Sequence, residues 1–291
     1  MKRTQFMKRT LLLPALLLAL AGCSQPVTDD AATSTDALSW TSGQSVDLDG
    51  TQGILDHTRL FTLGAATNVT RVYFVVHGDG ASDYASSTAD DRAKMAARLP
   101  PGEGAIVAYP VSAGYSWPSF TGRDAQRRNG PVLLRMFRQL EAAAGTPHIK
   151  FEQFSLSGGG KVNHALLRLV NERYDVDADV KEFVDDHLAG IHDGDALCYD
   201  ILGDDGLRNS YVLAAKRFSQ VRFSFIHNTS GQMQYVYTHH RYVATQLATL
   251  APSDFPWGGS LSLEDGRVRF WSAPTHWLAW KGQFEAVFFG P

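Results

Sequence analysis

The chain has 291 residues, 44% of them hydrophobic and 20% charged, which supports one sizeable core and excludes a disordered chain. Its 27 basic and 30 acidic residues give a formal charge of −3, and no basic stripe runs along it, so a nucleic-acid partner is excluded from the reading. Two cysteines, Cys23 and Cys198, cannot build a disulfide-stapled scaffold.

The N-terminus is a targeting segment. Lys2, Arg3, Lys8 and Arg9 precede an apolar run from Leu11 to Ala21, too short to cross a bilayer as a folded helix. Met1-Lys2-Arg3-Thr4 recurs as Met7-Lys8-Arg9-Thr10, and a start at Met7 would give a signal of more usual length. The run ends in Leu20-Ala21-Gly22-Cys23, which resembles the lipobox of bacterial lipoproteins. That resemblance implies cleavage before Cys23, acylation of Cys23 and anchoring of the mature chain in a lipid bilayer. Ser24 after the cysteine implies the outer membrane, with the mature domain periplasmic or surface-exposed. Residues 1–22 are thus read as a signal peptide. Residues 23–45, rich in Ser, Thr, Asp and Ala with no apolar period, are read as a flexible tether. Removing residues 1–22 takes away four basic and no acidic groups, leaving 23 basic against 30 acidic residues and a formal charge of −7. With Cys23 acylated, Cys198 has no intramolecular partner and reads as a small buried hydrophobe.

Residues 46–291 read as one domain without internal repeats. Ile54–Leu63 predicts an early antiparallel strand, followed by strands over Val72–Val76 and Ala105–Tyr109. After Pro131, the positions Val132, Leu133, Met136, Phe137 and Leu140 form one helical face that stops at Gly145. A strand over Ile149–Leu156 leads into a second helix after Gly160, with Val162, Ala165, Leu166, Leu169 and Val170 at i, i+3, i+4, i+7 and i+8. Strands follow over Leu188–His192 and Val221–Ile226, then a helix from Tyr237 to Leu250 before Pro252, and a last strand over Val268–Trp271. This alternation predicts an α/β fold: a mostly parallel sheet flanked by helices.

Chemistry concentrates at the ends of those strands. Ser155-Leu156-Ser157-Gly158-Gly159 closes one strand and opens a helix. A nucleophilic hydroxyl lifted on such a tight turn needs small residues two positions either side, here Ser155 and Gly159. A phosphate-binding loop fails, because Ser155 stands where its first glycine belongs and Val162 follows Lys161. His77-Gly78-Asp79-Gly80 ends the Val72–Val76 strand, where a loop can supply a second backbone donor to an oxyanion; Gly158 would supply the first and Asp79 the second. Of ten histidines, His276 follows the last strand on a loop, the place for a mobile general base, with His227 in reserve. His239 and His240 lie inside a helical pattern. The supporting acid is Asp195, with Asp193 as the alternative, because the His227-Asn228-Thr229-Ser230 loop offers no carboxylate. No His-Glu-x-x-His or clustered Cys/His spacing is present, so no catalytic metal is expected, and the chemistry requires no cofactor.

On these residues the sequence resembles the α/β-hydrolase superfamily over about residues 70–291. Asp195-Ala196-Leu197-Cys198-Tyr199-Asp200 is similar to the Asp-Ala-Leu-Tyr-Gly run of secreted bacterial relatives, which implies Asp195 as triad acid. The resemblance implies a serine hydrolase, with carboxylic esters as the commonest substrates of the scaffold. An amidase or peptidase acting on envelope material would use the same residues. A non-catalytic ligand-binding lipoprotein is the reading from another class. The aromatic loop Tyr115–Phe120, with Trp257, Trp277 and Trp280, falls near the same rim and suits an acyl chain, an aromatic acid or a sugar face, or else covers the sheet.

Overall fold

The computed structural model describes residues 40–48, 50–80, 88–196, 205–230, 234–256 and 258–279, the side chains of 205–209 and 252 apart. The expected signal segment, Cys23, most of the expected tether, Cys198, Trp257 and Trp280 lie outside the described residues. The strands are β1 (Ser45–Val46), β2 (Leu55–Gly64), β3 (Val69–Val76), β4 (Gly104–Ser112) and β5 (Lys150–Leu156), then β6 (Leu188–Gly194), β7 (Arg222–Asn228), β8 (Ser260–Leu263) and β9 (Val268–Ala273). They form one sheet in the order β1-β2-β4-β3-β5-β6-β7-β9-β8. β3, β4, β5, β6, β7 and β9 run parallel; β2 pairs antiparallel with β4 and carries β1 at one edge, and β8 pairs antiparallel with β9 at the other. The central runs are buried on both faces, as a parallel sheet covered by helices requires.

Among the described residues, five helices connect or cover these strands: α1 (Ala89–Ala96), α2 (Arg123–Ala144), α3 (Gly160–Arg173), α5 (Asp205–Arg217) and α6 (Gln234–Leu247); a short α4 (Ala178–Glu182) precedes β6. Alternation along each strand divides the core. Val72, Phe74 and Val76 of β3 meet Phe137 of α2, Leu166 of α3, Tyr211 of α5 and Val243 of α6 in the larger cluster. Tyr73 and Val75 face the other way, with Phe154, Leu156 and Met95 of α1. Each fully buried Phe or Leu contributes about 1.5–3 kcal/mol. Trp40 packs against the larger cluster and the Gly43 N–H donates to Leu60 O at 2.7 Å, so contacts with the sheet begin upstream of β1.

One helix starts earlier than its pattern predicts. α2 begins at Arg123, and Pro131 sits inside it. Proline removes one helical N–H and crowds the carbonyl four residues back, yet the first turns are held from outside. Asn129 Nδ2 bonds Ser119 O, and Arg127 makes a bidentate pair with Glu172 of α3.

A charged network crosses the face of the sheet that carries Tyr73 and Phe154. Glu152, fully buried on β5, accepts from Arg222 at 2.8 Å and lies 3.1 Å from His192 Nε2 on β6. His192 Nδ1 is 2.7 Å from Ser224 Oγ on β7. Burial alone would raise the Glu152 carboxyl, but the His192 hydrogen bond and the Arg222 and Arg71 charges outweigh it and hold the group below its ordinary value. Burial pushes the His192 imidazole below its ordinary value, against the pull of Glu152.

Candidate active site

β5 ends at Leu156, and Ser157 follows with φ +48°, in the left-handed region that non-glycine residues rarely adopt. Such a conformation stores about 1–3 kcal/mol and survives only where the surroundings over-determine it. Here they do. Ser155 is fully buried and its hydroxyl donates to His192 O at 3.3 Å. A Cβ on Gly159 would stand 2.7 Å from His77 O and 3.0 Å from Val76 O, so only glycine lets the turn press against the end of β3. α3 starts at Gly160, and its N-terminus faces the same point.

The His77–Gly80 loop crosses directly over this turn. A Cβ on Gly78 would lie 3.1 Å from Ser157 Cβ, and one on Gly158 would collide with the Asp79 carboxylate. The Asp79 Oδ1 is buried against Gly158 and has no hydrogen-bond partner among the described residues. The loop is fixed from below. Trp117, buried, donates its indole N–H to His77 O at 2.8 Å and packs its ring 4.6 Å from the His77 ring. His77 Nδ1 contacts Gly78 O at 2.5 Å, while Nε2 accepts the Ser112 N–H at 3.3 Å. Those two bonds select the neutral tautomer protonated at Nδ1. Burial pushes the His77 imidazole below its ordinary value, opposed by the Gly78 hydrogen bond and the Asp79 charge. Lys161, the second residue of α3, donates to Ser116 O and Oγ, both at 2.6 Å, and ties the aromatic loop to the elbow helix.

Sequence places the Tyr115–Phe120 loop over the rim as a group, but it divides. Trp117 and Phe120 are buried supports, whereas Tyr115 is 76% exposed. Tyr115, His77, Gly80, Val111 and Ser112 line a cleft of about 290 Å³ beside the loop.

Four parallel neighbours deliver the remaining groups to one end of the sheet: β5 leads into Ser157, β6 leads into Asp195, β7 ends at Asn228 and β9 leads to His276. Asp195 has φ +52° and is fully buried. Its N–H donates to Ile226 O at 2.6 Å. His276 Nδ1 lies 2.5 Å from Asp195 Oδ2, and the imidazole is about one-third exposed. Asn228 donates both its backbone N–H, at 3.2 Å, and its side-chain amide to the same carboxylate. Among the described residues no hydrogen bond joins Ser157 to His276.

Asp193, the alternative acid, turns elsewhere. It accepts from Ala196 N at 2.8 Å and Tyr211 OH at 3.3 Å, away from His276. His227 is enclosed by Tyr237, His240 and Phe255. Sequence reasoning missed the roles of Asn228, Trp117, Lys161 and the His77 side chain. Asn228 carried a signal, since it occupies the end of the penultimate strand, where an acid is usually sought.

No protein-family model matches the chain, and no curated protein matches it. Among solved structures, a dienelactone hydrolase from Anabaena variabilis is similar at 15% identity over 84% of this chain and 91% of that one, with a TM-score of 0.44. An acetyl xylan esterase from Aspergillus awamori gives 12% identity, 83% and 98% coverage and a TM-score of 0.47. A poly(3-hydroxybutyrate) depolymerase from Bordetella parapertussis gives 11%, 81% and 84%, and 0.44. The chain itself has an α/β fold, a mostly parallel mixed sheet flanked by helices, with the strained serine turn closing a central strand.

Proposed function

We propose that the protein is a serine hydrolase cleaving a carboxylic ester. Ser157 Oγ attacks the acyl carbonyl while His276 Nε2 takes its proton. Asp195 holds the Nδ1 proton, fixing the tautomer that leaves Nε2 basic, and stabilises the imidazolium that forms. Asn228 holds Asp195. The Gly158 and Asp79 backbone amides hold the oxyanion, each worth about 3–4 kcal/mol of barrier. His276 then protonates the departing alcohol, and a water activated by the same imidazole releases the acid. The imidazole closes on Ser157 as substrate binds, since catalytic hydrogen bonds often tighten only in the complex. The Asp79 carboxylate turns aside as the oxyanion develops, because like charges at that spacing repel. The acyl group occupies the cleft beside Tyr115.

The observation that supports this reading is the contact between His276 and the buried Asp195, residues 81 positions apart, at the edge where Ser157 is held in a strained turn. Hydrolysis of a short-chain p-nitrophenyl ester tests it. Turnover that disappears in Ser157→Ala is the expected result; absence of turnover in the wild type favours a binding protein. We further propose that Cys23 is lipidated and holds the domain on the outer membrane. Metabolic labelling with a palmitate analogue, lost in Cys23→Ser, is the expected outcome.

A further inference from the structure

Asp193 and Asp195 are two residues apart, and the proposed reaction uses only the second. Asp193 is 1% exposed on β6. Its carboxylate accepts from the Ala196 N–H and the Tyr211 hydroxyl, and no arginine or lysine of the described residues pairs with it. A buried carboxylate is retained where it is paired with a positive charge or binds a metal. Two histidines from α6 face it. Ligating atoms of Asp193, His239 and His240 all lie within 4.8 Å of one another, and all three residues are buried. His240 is fully buried and neither of its ring nitrogens makes a hydrogen bond; Nε2 stands 3.5 Å from Asp193 Oδ1, too far to donate one.

From this cluster we propose that Asp193, His239 and His240 bind a divalent transition-metal ion, with zinc the best match. Two imidazoles and one carboxylate form a ligand set suited to zinc, at bonds of about 2.0–2.2 Å in a tetrahedral arrangement. The supports for such ligands are in position. Asn163 Nδ2 donates to Tyr211 OH at 3.0 Å, and Tyr211 OH donates to Asp193 at 3.3 Å, a chain that orients the carboxylate. The His239 ring lies 5.7 Å from Tyr211 and the His240 ring 5.2 Å from Phe225, so the surrounding shell is aromatic. The ion fastens α6 to the end of β6, immediately before the turn that presents Asp195. The three side chains leave the fourth tetrahedral position to water, and the ion takes no part in the proposed ester chemistry. Sequence spacing gives no sign of the site, because His239 and His240 are adjacent and Asp193 belongs to a distant strand.

Zinc itself tests the proposal. Full-length protein is stripped with a chelator, titrated with zinc, and followed by metal analysis and thermal unfolding; cobalt then serves as a visible-absorption probe. The expected result is about one zinc per chain with a midpoint rising by several degrees, and a cobalt spectrum typical of nitrogen and oxygen ligands. Both are lost in His240→Gln and in His239→Gln and retained in His276→Gln. Far-UV circular dichroism establishes that each variant is folded. Zinc binding unchanged in folded His240→Gln, binding lost in His276→Gln, or no binding to the folded wild type would each overturn the assignment. None of these readouts depends on Ser157, so the metal site and the hydrolase reading can fail separately.

Discussion

Two serine–histidine–carboxylate sets occur in this sheet, and they differ in every respect except composition. In the set of Ser157, His276 and Asp195 only the 2.5 Å His276–Asp195 contact is made, whereas Ser224, His192 and Glu152 are joined by two side-chain bonds of 2.7 and 3.1 Å. Yet all three lie inside regular strands, each no more than 3% exposed, with Arg222 and Arg71 on the carboxylate. The other set stands past strand ends, with Ser157 and Asp195 both at positive φ, His276 partly exposed, and a glycine loop laid over the serine. On the proposed reading, hydrogen-bond connectivity does not distinguish the reactive set from a structural one; access, backbone strain at Ser157 and the amides beside it do.

Substitutions at matched positions break or sharpen that contrast. The largest effect is expected from Ser157→Ala, which should lower kcat on an ester by about 10⁵–10⁶, whereas Ser224→Ala should leave kcat within about twofold and cost about 1 kcal/mol of stability. Steady-state kinetics beside denaturant unfolding separates the two. Asp195→Asn should lower kcat by about 10⁴ while the fold persists, because the wrong tautomer of His276 is then favoured.

Glu152→Gln should do the reverse, costing about 3 kcal/mol of stability with kcat retained, since it breaks a buried charge pair. The pH dependence follows from the same network. The folded-state values of both His192 and Glu152 lie below their ordinary 6.5 and 4.5. The unfolded chain then binds protons first on acidification, so these groups contribute stability above those values and lose it as pH falls through the folded ones. Wild-type stability should decline below about pH 6.5 and more steeply below about 4.5, and Glu152→Gln should flatten the lower limb. Urea unfolding across pH measures both. The smallest effect contrasts two inactive variants: Ser157→Gly should be about 1 kcal/mol more stable than Ser157→Ala, because glycine relieves the left-handed strain.

How far the sequence discloses this arrangement depends on which force sets each feature. The six parallel strands were legible because burial on both faces writes continuous apolar runs, such as Val72–Val76 and Val221–Ile226. The elbow was legible because its crowding admits only Ser155 and Gly159 as neighbours. The edge strands β1 and β8 were not, being two and four residues long with little apolar pattern. α2 was predicted to begin at Pro131 because proline suits a first turn; tertiary anchors at Arg127 and Asn129 override that preference. The sequence favours Asp195 over Asp193, but the geometry that divides them is not legible in it. Residues two apart on a strand share a face, and only the positive φ of Asp195, invisible in sequence, turns its carboxylate toward His276.

A fluorophosphonate probe tests the central claim most directly, because it reports a serine activated by its neighbours without knowledge of the substrate. Mass spectrometry of the labelled wild-type protein should find one adduct, on the peptide carrying Ser157, absent in Ser157→Ala and formed far more slowly in His276→Gln. Labelling that persists undiminished in Ser157→Ala would contradict the account.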